Sequence, residues 1–376
     1  MTDAIDTDRD TRRCTDRDTD RDTRLHTAGS GVDMATSAAD DLSIVAHDLR
    51  RTYRKRKGWF RSGEVVEAVR GISFGVPRGT IFGMVGPNGA GKTTTIKMLS
   101  TMLIPTSGSA TIGGLDVVRQ ETAVRRQLGV LFGGDKGLYN QLSGRENLRY
   151  AGRLYGMDDR AIAARSEELL ARVRLTDRAA ERVESYSRGM KQRLHIAKTL
   201  LHEPAVVILD EPTIGLDPSA AIDVRQLIAD LAGEHTILLT THDMYEADLL
   251  CRELAIVDRG IIVASGTPAA LKAQAKVDRR VVVTLTERSG RRAAGEVIDR
   301  LRELTPVTQV QHDPGAAGAG AATTLTLRCI DTTAALDQAL AVLREGGAEV
   351  RTIDIREPSL EDAFLCATGR EFEENS

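Results

Sequence analysis

The segment from residue 86 to residue 93 combines glycines, a lysine and a threonine in an order that could bind phosphate. It fits the pattern GxxxxGK[ST]. Glycines leave successive backbone N–H groups free to point at phosphate oxygens, and the start of a following helix adds partial positive charge. Lys92 could bring a mobile charge to the terminal phosphates, and the Thr93 hydroxyl could bind Mg²⁺. The predicted phosphate-binding residues are Gly86, Pro87, Asn88, Gly89, Ala90, Gly91, Lys92, Thr93 and Thr94.

Two acidic residues at the end of an apolar run could complete such a site. The run AVVILDEPT carries Asp210 and Glu211. Mg²⁺ needs further oxygen ligands, so we expect Asp210 to bind the metal together with Thr93. Alternate strand residues point to opposite faces, so the strand must end here if both carboxylates are to serve one site. Glu211 would then polarise the attacking water. Without the phosphate loop, two such acids more often mark a strand end followed by a turn.

These residues need a scaffold of strands that end at one edge of a sheet. From Leu42 onward, short apolar runs such as TIFGMVG, TILLTT and ELAIVD alternate with amphipathic segments. Such runs are typical of buried strands between helices, so an α/β fold with a largely parallel sheet is predicted. The strand at 81–85 precedes the phosphate loop, and a helix with Ile96, Leu99 and Leu103 on one face should follow it. The alternative is a glycine-rich strand-to-helix turn that binds no ligand.

The composition narrows the classes of function. The chain has 376 residues, of which 41% are hydrophobic, enough for two folded units. Its 51 basic and 54 acidic residues nearly cancel, so no nucleic-acid partner is expected. The four cysteines form no CxxC pair, which argues against a disulfide framework or a zinc site and favours a reducing cytoplasm. No run approaches the ~18 apolar residues of a membrane-spanning helix, so no direct membrane insertion is expected.

Three regions are predicted along the chain. Residues 1–40 contain DRDT three times and no aromatic residue, which predicts a disordered tail. A nucleic-acid-binding arm is the alternative, but its Asp and Arg charges cancel. Residues 41–275 should form the α/β nucleotide-binding domain. Residues 279–376 should form a small C-terminal α+β accessory or dimerisation domain. Its elements follow the ferredoxin-like order strand, helix, strand, strand, helix, strand, with helices near 293–304 and 333–345.

Further segments resemble those of a known family. YSRGMKQR precedes LHIAKTLLHEPAVVILDEPT, GLDP follows at 215–218, and TTHDMYEAD places His242 after the next apolar run. In this order, and with the phosphate loop, they resemble the ATP-binding-cassette (ABC) ATPases over residues 42–270. The resemblance implies a P-loop NTPase fold with a helical subdomain, with ATP and Mg²⁺ as cofactors. It also implies a head-to-tail pair of cassettes, each ATP lying between the phosphate loop of one and the signature sequence of the other.

The resemblance assigns roles to single residues. Ser187 and Gly189 lie where the signature LSGGQ is expected, although this chain reads YSRGM there. Asp217 matches the loop that senses the partner cassette, and His242 matches the switch histidine that contacts the γ-phosphate. The implied catalytic residues are Lys92, Glu211 and His242.

An aromatic platform for adenine is implied about forty residues before the lysine, because a ring stacked on the base adds affinity without charge. Tyr53 is the match, with Trp59 and Phe60 as alternatives. The basic run around Tyr53 is interpreted as a solvated loop, with contact to lipid headgroups as the alternative.

One departure from the family pattern concerns the metal site. Most members carry a glutamine that contacts Mg²⁺ and couples to the membrane partner, whereas LGVLFGGDKGLY has Gly133 or Gly134 there. Asp135 is a possible substitute. The segment that follows, LSGRENLRYAGRLYGM, still resembles the helical subdomain that docks on transporter membrane helices.

The C-terminal segment indicates one branch of the family. IREPSLEDAFLCATGRE is similar to the ending common in the drug-resistance branch, which includes the ATPases of daunorubicin and doxorubicin exporters. The same residues also predict an ordinary helix that begins near Pro358 and packs through Leu360, Phe364 and Leu365.

The branch implies an ATPase that converts ATP and water to ADP and phosphate. It would power efflux of a drug or lipophilic compound through a separate membrane permease. A second cassette and a peripheral location at the cytoplasmic face of the membrane are also implied. The alternatives are the ATPase of a lipid or polysaccharide exporter and a soluble ABC ATPase acting on ribosomes or DNA.

Overall fold

A computed structural model describes residues 41–54, 65–133, 137–275, 279–286, 295–313 and 323–369. The predicted tail at 1–40 lies outside the described residues, as do Trp59, Phe60, Gly134 and Asp135. The predictions made for them therefore remain predictions.

The first region contains a parallel sheet and an antiparallel sheet. Its strands are β1 (Leu42–Arg54), β2 (Val65–Pro77), β3 (Ile81–Val85), β4 (Ser107–Ile112), β5 (Leu115–Asp116), β6 (Leu128–Leu131), β7 (Val206–Asp210), β8 (Thr236–Thr241), β9 (Glu253–Asp258) and β10 (Ile261–Gly266). The central sheet has the order β10-β9-β3-β8-β7-β6, with β10 alone antiparallel to its neighbour. Strands β3, β7 and β8 are buried along their whole length, as their continuous apolar runs predict. The antiparallel sheet has the order β2-β1-β4-β5.

Helices cover these sheets and form a helical subdomain. They are α1 (Lys92–Leu99), α2 (Glu121–Gln127), α3 (Gly144–Leu154), α4 (Asp159–Arg172), α5 (Arg188–Leu200), α6 (Pro218–Ala229), α7 (Met244–Leu250) and α8 (Pro268–Gln274). The subdomain consists of α3 and α4 packed on α5. A capping box between Ser143 and Glu146 starts α3, and the Asp158 side chain caps α4.

The helix after the phosphate loop is shorter than predicted. Ile96 and Leu99 are buried on one face of α1, but the helix ends at Leu99 and does not include Leu103. Thr101 has a φ of 62°, a left-handed conformation that terminates a right-handed helix. Leu103 nevertheless packs against the same core from the following turn.

The C-terminal region has the predicted ferredoxin-like order. Its elements are β11 (Arg279–Leu285), α9 (Glu296–Arg302), β12 (Val307–Asp313), β13 (Thr323–Cys329), α10 (Thr332–Glu345) and β14 (Val350–Arg356). The strands form an antiparallel sheet in the order β12-β13-β11-β14. Alternate residues of β11 and β13 are buried under the two helices, as the period of a half-buried strand requires.

One more helix, α11 (Leu360–Thr368), returns to the first region, and the predicted C-terminal helix is thereby confirmed. Its residues Leu360 and Ala363 join the hydrophobic core that also contains Leu271 of α8. Asp362, in the first turn, forms a capping box with Ser359 and accepts a hydrogen bond from Arg280 at 2.7 Å. The domain boundary predicted between residues 275 and 279 stays a prediction. Helix α11 follows that boundary in the sequence but contributes to the core of the region before it.

None of the helices within the described residues has both the length and the apolar character that crossing a membrane requires.

Candidate functional site

The phosphate loop lies between β3 and α1 and depends on glycine at two points of close approach. Gly86 and Gly91 have φ values of 157° and 111°. A Cβ atom at Gly86 would lie 2.1 Å from the carbonyl oxygen of Val257, and one at Gly91 would lie 2.7 Å from that of Ala68. Any larger residue would therefore overlap the neighbouring backbone, so the loop needs glycine for space as well as for conformation.

Lys92, the first residue of α1, has its amine folded back into the loop. The residue is 4% exposed, and its Nζ atom donates to the carbonyl oxygens of Gly86 (2.6 Å) and Pro87 (3.2 Å). Nζ also lies 3.6 Å from Glu211 Oε1. Burial lowers the pKa of Lys92, and the charges of Glu211 and Asp210 oppose this shift. The amine is thus held inside the loop that is predicted to receive phosphate.

Asp210 and Thr93, the predicted metal ligands, are in contact. Asp210 is the last residue of β7, and Thr93 Oγ1 donates to its Oδ2 atom at 3.2 Å. The buried hydroxyl of Thr240 donates to Asp210 Oδ1 and fixes the carboxylate from the other side. Hard oxygen ligands of this kind suit Mg²⁺, so the residues present fit the predicted ion.

Glu211 reaches the same site because the strand ends before it, as predicted. Its φ is 49°, a left-handed conformation that is rare for a residue other than glycine. Its Oε2 atom lies 2.8 Å from Nδ1 of His242, within hydrogen-bonding distance. This contact was not predicted from the sequence. The two residues are 31 positions apart, but each follows one of the neighbouring parallel strands β7 and β8.

A second group of predicted residues lies where α5 and α6 begin. Ser187 caps α5 by accepting a hydrogen bond from the Met190 N–H, and Asp217 caps α6 through the Ala220 N–H. A Cβ atom at Gly189 would lie 2.6 Å from that of Ala220, so glycine allows the two helix ends to approach closely. The beginnings of α5 and α6 therefore lie close together, and Lys92, Thr93, Asp210, Glu211 and His242 form another cluster.

Tyr53 lies opposite Val66 in the β1–β2 ladder. Val66 is two residues before Ala68, and the carbonyl of Ala68 approaches the phosphate loop. The Tyr53 side chain is partly exposed, and the Arg51 guanidinium lies 5.0 Å from the ring centroid. Its role as an adenine platform remains a prediction.

The segment that reaches Gly133, where most members of the family carry a glutamine, passes beside Asp210 and Glu211. A Cβ atom at Gly133 would lie 3.2 Å from the carbonyl oxygen of Asp210 and 3.9 Å from Cβ of Glu211. A side chain at this position would therefore begin beside the backbone of Asp210 and Glu211.

An aromatic groove, which the sequence reasoning did not identify, lies between the helical subdomain and the end of α5. It has a volume of about 420 Å³ and is lined by Tyr139, Tyr150, Leu154, Tyr155 and Lys198, among others. The rings of Tyr139 and Tyr150 meet edge to face at 4.7 Å. Lys198 Nζ donates to the carbonyl of Gly137 at 2.6 Å, which ties α5 to the segment after Gly133. The signal in the sequence is the i, i+4 spacing of Tyr150 and Leu154, which places both on one face of α3, where they are exposed.

Comparisons with known proteins identify relatives of this chain. A family model described as ABC transporter matches residues 69–214. The daunorubicin resistance ATP-binding protein DrrA3 of Streptomyces coeruleorubidus is 40% identical over 304 residues, covering 81% of this chain and 92% of that protein. The Nod factor export ATP-binding protein I of Bradyrhizobium diazoefficiens is 38% identical over 81% of this chain and 92% of its own length. A solved ATP-binding subunit of an ABC transporter gives a TM-score of 0.52 at 30% identity, covering 61% of this chain and 92% of that structure.

Proposed function

Because this chain belongs to the ABC transporter family of ATPases, we propose that it powers an exporter by hydrolysing ATP at the carboxyl edge of its central sheet. The observation that carries the proposal is the cluster of Lys92, Thr93, Asp210, Glu211 and His242 beside the phosphate loop. These residues supply a cation, two metal ligands and a carboxylate that could polarise water.

The chemistry consists of positioning and electrostatics. The phosphates of ATP accept hydrogen bonds from the N–H groups of the loop, and the Lys92 amine exchanges its carbonyl partners for phosphate oxygens. Glu211 orients and polarises the attacking water. In the tautomer that carries a proton on Nδ1, His242 donates a hydrogen bond to Glu211 and holds that carboxylate in position. Mg²⁺, bound by Thr93 and Asp210, would neutralise charge on the phosphates.

We assign two partners to the chain. A membrane permease docks in the aromatic groove, since exposed tyrosines are typical of protein interfaces and this groove adjoins the segment that passes Asp210. A second cassette supplies Ser187, Gly189 and Asp217 to the nucleotide of the first, head to tail. Both assignments fit a peripheral position at the cytoplasmic face of a membrane.

The names of the relatives support a drug or lipophilic compound as the cargo. They refer to daunorubicin resistance and to Nod factor export. We therefore propose drug efflux, with a lipid or polysaccharide precursor as the second candidate.

The test of the ATPase is Glu211→Gln. Glutamine keeps an oxygen near His242 but is a far weaker base, so kcat should fall by roughly 10²- to 10⁴-fold. Turnover would be measured by phosphate release. The variant should still bind ATP and form a stable dimer with Mg²⁺, which light scattering after size exclusion would detect. The matched control is Glu234→Gln, which alters a surface ion pair with Arg172. Turnover equal to that of the wild type would refute the role of Glu211.

A further inference from the structure

Glu246, in the first turn of α7, is fully buried although it carries a carboxyl group. The residue is 0% exposed, and its Oε1 atom accepts a hydrogen bond from Thr213 Oγ1 at 2.8 Å. Burial raises the pKa of Glu246, and the hydrogen bond from Thr213 opposes the rise only in part. Placing a carboxyl group here costs free energy, whereas an apolar side chain could fill the same space without that cost.

The neighbours of Glu246 belong to the two loops of the candidate site. Thr213 lies two residues after Glu211, and Thr241 immediately precedes His242. Asp243 connects the same elements: its N–H donates to Thr241 Oγ1 at 3.0 Å, and its side chain caps α7 by accepting from the N–H of Glu246. The first turn of α7 therefore contacts both loops from inside the protein.

Glu211 needs such support from its surroundings. A residue at a φ of 49° persists only where neighbouring groups determine its conformation. Its backbone N–H is bonded to the Thr240 carbonyl, which fixes the start of the loop, and the bond from Thr213 to Glu246 fixes the loop two residues later.

We propose that Glu246 is a positioning residue that holds the loop of Glu211 through Thr213, on the helix turn that Asp243 joins to the loop of His242, and so maintains the 2.8 Å contact between Glu211 and His242. Because Glu211 acts only if the chain hydrolyses ATP, this role rests on the proposed function. Glu246 itself touches neither nucleotide nor water in the reaction.

The sharpest test is Thr213→Val, which removes the hydroxyl that donates to Glu246 and keeps the shape of the side chain. A catalytic carboxylate displaced by about 1 Å loses up to about 10²-fold in rate, so kcat should fall between about 10- and 100-fold. The affinity for ATP, measured without turnover, should stay within about twofold, since the phosphate loop is unaffected.

Two variants of Glu246 extend this test. Glu246→Gln keeps an oxygen that can accept from Thr213 and should retain activity within about threefold. Glu246→Ala should lose as much kcat as Thr213→Val, and the double variant Thr213→Val, Glu246→Ala should lose little more than either alone, because both remove one clamp. The control is Asp248→Asn, further along the same helix, which alters only an ion pair with Lys272.

The outcomes separate this role from the proposed function. Unchanged kcat in Thr213→Val, or losses that multiply in the double variant, would refute the clamp even if Glu211→Gln is inactive. A parallel loss of ATP affinity and melting temperature with kcat would indicate a general structural role and would equally refute it. A wild type without ATPase activity would refute the proposed function instead.

Discussion

The central sheet and the C-terminal sheet differ in where they hold charge and strained backbone. The carboxyl edge of the central sheet carries the buried amine of Lys92, the buried carboxylate of Asp210 and the left-handed Glu211. The C-terminal sheet instead packs apolar residues such as Val283 and Leu327 against α9 and α10.

This difference indicates which region is organised for chemistry. Strained conformations cost about 1–3 kcal/mol each, and buried charges cost more unless they are paired. Such costs persist in proteins mainly where binding or catalysis requires them. The C-terminal region, within its described residues, shows the alternating burial of a packing unit. We therefore expect substitutions in the two regions to have different consequences, in the order given below.

The largest effect is expected for Gly86→Ala. The added Cβ would lie 2.1 Å from the Val257 carbonyl oxygen, so the loop and β9 must separate, and stability should fall by more than about 4 kcal/mol. Gly347→Ala is the counterpart in the C-terminal region. Gly347 has a φ of 68° but no atom within 4 Å of the added Cβ, so only the left-handed conformation, about 1–2 kcal/mol, is at stake. Thermal unfolding followed by circular dichroism would measure both, and equal losses would contradict the comparison.

Leu327→Ala tests whether the C-terminal region is separable from the chemistry. The residue is fully buried in β13, so its truncation should destabilise that region by about 2–5 kcal/mol. The ATPase rate should remain within about twofold at temperatures where the variant is folded, since Leu327 packs in a core of its own. Leu209→Ala, the matched change in β7 directly before Asp210, should reduce both stability and rate. A large loss of rate in Leu327→Ala would show that the C-terminal region contributes to hydrolysis.

The smallest effect is expected for Gly133→Gln. The new side chain would start 3.2 Å from the Asp210 carbonyl and could add an oxygen near the candidate metal ligands. The Mg²⁺ concentration giving half-maximal hydrolysis should change by less than about tenfold, equivalent to about 1.4 kcal/mol. Gly133→Ala is the control, because it adds the crowding without the amide. If the two variants behave alike, the missing glutamine does not limit metal binding.

Much of the candidate site could be predicted because its parts are contiguous in sequence. The phosphate loop and the acids after β7 are short motifs with strongly apolar strands before them. The contact between Glu211 and His242 was not predictable in this way, since it depends on β7 and β8 being neighbours. The burial of Glu246 was not predictable either, because it arises from tertiary packing. The sequence of a helix as short as α7 does not show which loops pack against its first turn. The early end of α1 was missed because the left-handed Thr101 has no strong signal in its residue type.

The return of α11 to the first core has a consequence for synthesis. Leu360 leaves the ribosome about 85 residues after Ala275, so at about 5–20 residues per second the pocket it fills stays open for roughly 4–17 s. During that interval the apolar surface of α7 and α8 that α11 covers is exposed to solvent. A core that begins at Ile81 is therefore completed only when a helix from the last part of the sequence has been made.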